Sequence, residues 1–259
     1  DDALDLETLL LSVFVRGKVL DLKDLCIEAR KHAFRLCVGV TILNHPNFGW
    51  AVQAKDMLPV KKLYMFELYN GHPSVRNFGD PRHPSTEQLW DDLLTQGMTI
   101  FGVGSDDAHH FADWAPKKSN PGRGWVMVQA KELTSKALTD AMTRGDFYSS
   151  SGVMFKKVVR HPDKISVEVD EAATAKELAS PLLIGRMVKE GKPGYLIEFI
   201  GPEGKVIQTS SKTKADCPVN LPYLRCKVTR RVKKDDGSLL EYYAWTQPVF
   251  TDGRKKLGK

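Results

Sequence analysis

Imidazoles and carboxylates recur at short intervals between residues 44 and 110 of this chain. Asn44-His45-Pro46-Asn47 comes first, then Glu67 with Asn70-Gly71-His72, then Ser105-Asp106-Asp107-Ala108-His109-His110. Asp107 and His109 form a D-x-H couplet, and on an extended backbone residues two apart share one side. Together with His45 they offer two imidazole nitrogens and a carboxylate. That donor set suits zinc, manganese, iron or nickel better than calcium or magnesium, because imidazole favours the transition metals. Water activated by such an ion hydrolyses esters. Plainer readings stand beside this one. An Asp-Asp pair caps turns, paired histidines bond locally, and a lone His before Pro is often a loop residue.

Glu67 ends an apolar run, where a carboxylate serves as general base, bridges metals, or simply pairs with a Lys. Asn44, Asn70, His72 and His110 flank these positions and are candidates for substrate contact. Arg123, in Pro121-Gly122-Arg123-Gly124-Trp125, is a further one. Its flanking glycines permit close backbone approach, and a guanidinium grips an anion in two-pronged fashion. A solvated loop Arg is the alternative. The chain has no G-x-S-x-G elbow, no G-x-x-x-x-G-K-[ST] loop and no H-E-x-x-H helix, so those hydrolase and nucleotide chemistries have no footing.

The elements that must position these groups alternate. Residues 21–34 carry apolar side chains at helical spacing, and residues 36–43 read as a buried strand. Residues 62–68 and 99–104 read as two more strands. Between them Ser85-Thr86-Glu87-Gln88 is a capping-box start for a helix that Gly97 ends. Residues 124–130 supply a fourth strand, and Thr134 opens a helix that stops at Gly145. This alternation is the form of βα units around a parallel sheet, whose strand ends gather side chains on one rim. After about residue 151 short strands with turn signals follow, at 164–169, 195–200 and 223–228, with Asp235-Asp236-Gly237-Ser238 as a hairpin loop.

The length of 259 residues suffices for a sizeable core. A composition 42% hydrophobic and 27% charged excludes wholesale disorder. No apolar run approaches the ~20 residues of a membrane span. The net charge of +6 is uneven: residues 1–155 are slightly acidic and 156–259 basic. Few aromatics interleave those cations, so nucleic acid is not an expected partner. Cys26, Cys37, Cys217 and Cys226 are too scattered for a disulfide framework; the last two would bridge neighbouring strands only in an exported protein. Compartment and oligomeric state stay open.

Four stretches, Asn44 to Phe48, Phe66 to His72, Gly104 to His110 and Gly145 to Gly152, resemble in this order the later motifs of the PHP (polymerase and histidinol phosphatase) superfamily, particularly its carbaryl-hydrolase-like metallohydrolase branch. Ala244 to Phe250 resembles the close of the β domain in such proteins. The resemblance implies an α/β architecture with an incomplete PHP-type distorted βα barrel in residues 1–155, and the strand-and-turn pattern that follows suits a small antiparallel β-sandwich in 156–259. The resemblance further implies a metal-dependent hydrolase of phosphoesters, related esters or carbamates, acting on a small anionic or ester substrate. Two or three divalent ions (zinc, manganese or iron) are implied, with His45, Asp107 and His109 as ligands and Asp106 as their neighbour. Family members open with an H-x-H strand, and this chain has no H-x-H. With no initiator Met either, a piece of a longer protein is the expectation, and a non-catalytic, degenerate relative is the alternative.

Overall fold

The computed structural model describes residues 40–254. The helix expected over 21–34, His32, Cys26 and Cys37 lie outside the described residues, as does all of the basic tail but Arg254. The strand expected over 36–43 is described from residue 40 onward and contains β1 (Ile42–Leu43).

β1, β2 (Met65–Asn70) and β3 (Phe101–Ser105) make a parallel three-stranded sheet in that order. Every residue of β2 is buried, as befits a parallel strand covered on both faces. A short helix, α1 (Ala54–Met57), and a longer one, α2 (Thr86–Thr95), fall between β1 and β3. The Ser85 hydroxyl accepts from the Gln88 N–H and the Gln88 side chain accepts from the Ser85 N–H, so the capping box is formed. α2 buries Leu89, Trp90, Leu93 and Leu94, and the Trp90 indole N–H donates to the Ile100 carbonyl at 3.1 Å.

Here the expected βα barrel fails. Among the described residues strand outweighs helix, 36% to 18%, most pairing is antiparallel, and no barrel closes. The fourth strand, β4 (Trp125–Val128), does form, but it runs antiparallel to β5 (Phe147–Ser150). Helix α3 (Ser135–Arg144), which joins them, buries only Ala141. α3 does lay an apolar side inward, with Met142 packed against the cluster of Phe101 and Phe147, but the strands it joins meet antiparallel, so it is not a parallel crossover. Its end at Gly145, in the left-handed conformation, returns the chain beside β4 instead.

Past β5 come β6 (Phe155–His161), β7 (Lys164–Val169), helix α4 (Glu171–Leu178), β8 (Arg186–Val188), β9 (Gly194–Ile200), β10 (Val206–Ser210), β11 (Lys214–Pro218), β12 (Tyr223–Lys233), β13 (Leu239–Thr246) and β14 (Val249–Phe250). One sheet runs β10-β9-β12-β13-β5-β4, with β8 on β13 and β14 on β12; a second runs β11-β7-β6. Ile165, Val167 and Val169 of β7 share a core cluster with Phe199 of β9 and Val228 of β12, so the two antiparallel sheets bury common apolar surface. Cys217 and Cys226 are buried free thiols, whose proton affinity burial raises. The larger sheet continues through the boundary expected at residue 155, because Ser150 of β5 pairs with Ala244 of β13. Among the described residues no helix is long and apolar enough to cross a membrane.

The parallel layer and the large sheet share a core. Phe66 and Trp90 cluster with Tyr223, Tyr243 and Trp245. Beside that cluster Arg225 of β12, 1% exposed, binds Asp91 of α2 through both oxygens, at 2.7 and 2.6 Å, and Lys227 binds Glu87 at 2.5 Å. Removing one member of a buried ion pair strands the other charge. Arg225→Ala is therefore expected to lower unfolding free energy by about 3–5 kcal/mol, read from urea denaturation. Pairing Arg225→Met with Asp91→Leu should recover most of that loss.

Candidate functional site

Parallel pairing brings the carboxyl ends of β1, β2 and β3 to one edge, so residues far apart in sequence meet. His45 follows β1, Glu67 and Asn70 belong to β2, and Asp107 follows β3. In a regular strand residues three apart face opposite sides. Here the register slips between Glu67 and Tyr69, where Glu67 opposes Val103 and Tyr69 opposes Gly104. Leu68 is thus the extra residue of a bulge, and the bulge lets Glu67 and Asn70 share a side. The Thr86 hydroxyl, at the start of α2, donates to the Leu68 carbonyl at 2.6 Å.

Glu67 is 3% exposed and Asn70 2%. Glu67 Oε2 accepts from the His45 N–H at 2.7 Å and from Asn70 Nδ2 at 2.8 Å. The same Nδ2 donates to Asp107 Oδ2 at 3.1 Å, so one amide joins two carboxylates. Its orientation is set by the His72 N–H, which donates to Asn70 Oδ1 at 2.7 Å. Asn77, itself buried, accepts from the Asn70 N–H and donates to the Asn70 carbonyl. Burial raises the Glu67 carboxyl above the ordinary range; the bonds from Asn70 and His45 oppose this, and the Asp107 charge adds to it.

Two residues of the cluster hold left-handed backbone without being glycine: His45 at φ 30° and Asp107 at φ 47°. Such conformations cost roughly 1–3 kcal/mol each and persist where surrounding structure imposes them. The other oxygen of Asp107, Oδ1, lies 3.1 Å from His109 Nε2. His109 is half-exposed and meets the His72 ring edge-on, centroids 5.7 Å apart.

Neighbouring imidazoles are pinned by serines. His72 Nδ1 accepts from the Ser74 N–H at 3.2 Å, and His110 Nδ1 accepts from the Ser119 N–H at 3.3 Å. An accepting Nδ1 puts the proton of the neutral ring on Nε2, so both rings present a donor there. Partial burial, above all, lowers the proton affinity of His72. Asn44 is part-buried in the His45 loop. Asp106 accepts from the Gly122 N–H at 2.7 Å. Arg123 is buried, and its guanidinium donates to the Ala115 carbonyl at 2.8 Å and to Asn120 Oδ1 at 3.1 Å. It braces the loop after β3, turned inward.

The structure therefore gathers His45, Glu67, Asn70, Asp107 and His109, with His72 alongside, and sets Arg123 apart as a brace. Sequence reasoning missed Asn77, whose signal would have been an amide able to pair with a strand-end backbone. As carboxylate and imidazole donors these residues suit a divalent transition ion. Yet among the described residues no group of three or more His, Cys, Asp or Glu is arranged to hold a metal. The Asn70 amide stands between the carboxylates, and Asp107 Oδ1 is engaged by His109.

Compared with known protein families, curated proteins and solved structures, the chain matches none.

A carboxyl whose folded pKa is raised destabilises the fold as pH climbs from the ordinary carboxylate range through the raised value, because the native state holds its proton longer than the unfolded chain. Glu67→Gln keeps an acceptor for His45 and Asn70 and removes the charge. Urea midpoints measured across that window should fall with pH more steeply in the wild type than in Glu67→Gln.

Proposed function

We propose that the rim at the ends of β1, β2 and β3 is part of a metal-dependent hydrolytic centre for phosphoesters or related esters and carbamates, in a PHP-like protein. The observation that carries this reading is the convergence of His45, the buried Glu67, and the Asp107–His109 couplet at the carboxyl ends of three parallel strands. Asp107, His109 and His45 are the residues that would hold a zinc, manganese or iron ion, and further ligands are needed to complete a site for two or three. A bound ion would supply a water acidic enough to attack and a charge to steady the ester oxygen.

The chain's own groups have separate tasks. Glu67, with its raised proton affinity, is suited to take the proton of an attacking water at a carboxylate oxygen. His72 and His110, each with Nε2–H outward of a pinned Nδ1, are suited to donate to an anionic substrate oxygen. Asn70 positions both carboxylates.

One observation favours a second, non-catalytic reading. The Asn70 amide gives each carboxylate a hydrogen-bond donor without any ion, so the network is closed as it stands. Metal analysis and turnover separate the two. On the hydrolytic reading, protein supplied with manganese or zinc cleaves a phosphodiester, phosphomonoester or carbamate, and Asp107→Asn or His109→Ala abolishes turnover. Asn70→Leu should weaken metal binding by about 10–100-fold, as for other groups that orient ligands. No bound metal and no turnover would leave the non-catalytic reading.

A further inference from the structure

A second concavity lies beyond the loop that carries His45. Its volume is about 830 Å³, within the ~300–1,000 Å³ usual for small-molecule sites. Its lining includes none of Glu67, Asn70 and Asp107. Residues 47–58, the turn at 80–85 and one side of α2 form its walls.

One wall is an aromatic platform. The Trp50 indole stacks on the His83 imidazole with centroids 3.9 Å apart and planes 20° from parallel. Asp80 Oδ1, 2.9 Å from His83 Nδ1, fixes that ring, and the Arg76 guanidinium lies 5.0 Å from the Trp50 ring centre. Val52, Leu58 and Leu89 add apolar surface.

A separate observation points to a ligand. Asn47 lines the cleft at 4% exposure, and neither Oδ1 nor Nδ2 of its side chain has a partner. Trp50 Nε1 is likewise buried and unpaired. Half of the six such atoms among the described residues thus fall on two residues of this cleft. A buried polar group without a partner gives up its hydrogen bonds to water and gains none in return, and an unpaired carboxamide lacks partners for both a donor and an acceptor. The ionic lining groups balance, Lys55 and Arg82 against Asp80 and Asp92, so the cleft selects no net charge.

We infer that this cleft binds an uncharged planar ring carrying a hydrogen-bond donor beside an acceptor, the edge shared by nucleobases and aryl carboxamides. An Asn side chain meets such an edge with two hydrogen bonds, and the Trp50–His83 platform holds the ring by stacking. The inference needs no metal and no turnover, so it stands or falls apart from the hydrolytic reading.

The test uses the full chain and ligand-observed NMR with adenine, uracil and nicotinamide, and with benzoate as a charged planar control. At least one of the three neutral rings should bind at millimolar concentration or below and benzoate should not; which ring binds separates nucleobase from carboxamide. Asn47→Leu should weaken binding by about tenfold or more, the size of a lost buried hydrogen-bond pair. Ala54→Trp, which fills the cleft from another wall, should abolish binding with Asn47 intact and serves should Asn47→Leu fail to fold. Binding of benzoate as tight as the neutral rings, binding untouched by both variants, or no binding of any neutral ring would overturn the inference and leave water as the partner of Asn47.

Discussion

One carboxamide fixes the geometry of the rim. The Asn70 oxygen accepts from the His72 N–H, so its NH2 group has to face Glu67 and Asp107. Two carboxylates that would otherwise repel are thereby tied to one nitrogen. Asn70 in turn is held along its backbone by Asn77, and it reaches Glu67 only because Leu68 bulges out of register. Bulge, amide and turn are one device: remove any part and the carboxylates lose their common partner. The same device explains the raised proton affinity of Glu67, since its donors offset only part of the penalty of burial.

The far edge of β3 is governed by a second device. A parallel barrel would continue there, but the Gln247 side chain accepts from the Gly102 N–H at 2.9 Å and donates to the Gly102 carbonyl at 2.8 Å, and the Ser149 hydroxyl donates to the same carbonyl. Side chains thus take the hydrogen bonds that another strand would claim. Gly104 lets the chains close up further, because a Cβ there would sit 2.8 Å from the Trp125 carbonyl oxygen. The antiparallel sheet is seated against β3 by these contacts and by the buried Arg225–Asp91 pair. The rim is accordingly carried by three parallel strands backed by a β-rich body.

Local elements were legible because their signals are local. Ser85 with Gln88, Thr134 with Gly145, and the Asp235–Ser238 loop each announce a helix end or a turn by residue type, and each is found there. Pairing direction was not legible. The sequence of α3 reads as a crossover helix, and only the antiparallel pairing of β4 with β5 shows that it is none. The convergence of His45, Glu67 and Asp107 follows from strand ends alone. The positions of Asn77 and Arg123 do not: the bulge at Leu68 has no residue signature, and a Gly-flanked Arg reads alike whether it faces solvent or braces a loop.

The D-x-H couplet, the most specific signal in the chain, is also the part of the rim least fixed by its surroundings. His72 and His110 are each locked through Nδ1 to a serine backbone N–H, so their tautomers follow from the fold. His109 has no such anchor on Nδ1; its ring is half-exposed and points Nε2 at Asp107. While that bond stands, the imidazole and the carboxylate satisfy one another, and an ion would have to separate them or approach the ring from Nδ1. Spacing in the sequence places the two donors together but does not decide between mutual pairing and shared coordination. That choice rests on one exposed side-chain torsion, whereas the carboxylate it competes for is fixed by the left-handed backbone of Asp107 and the amide of Asn70.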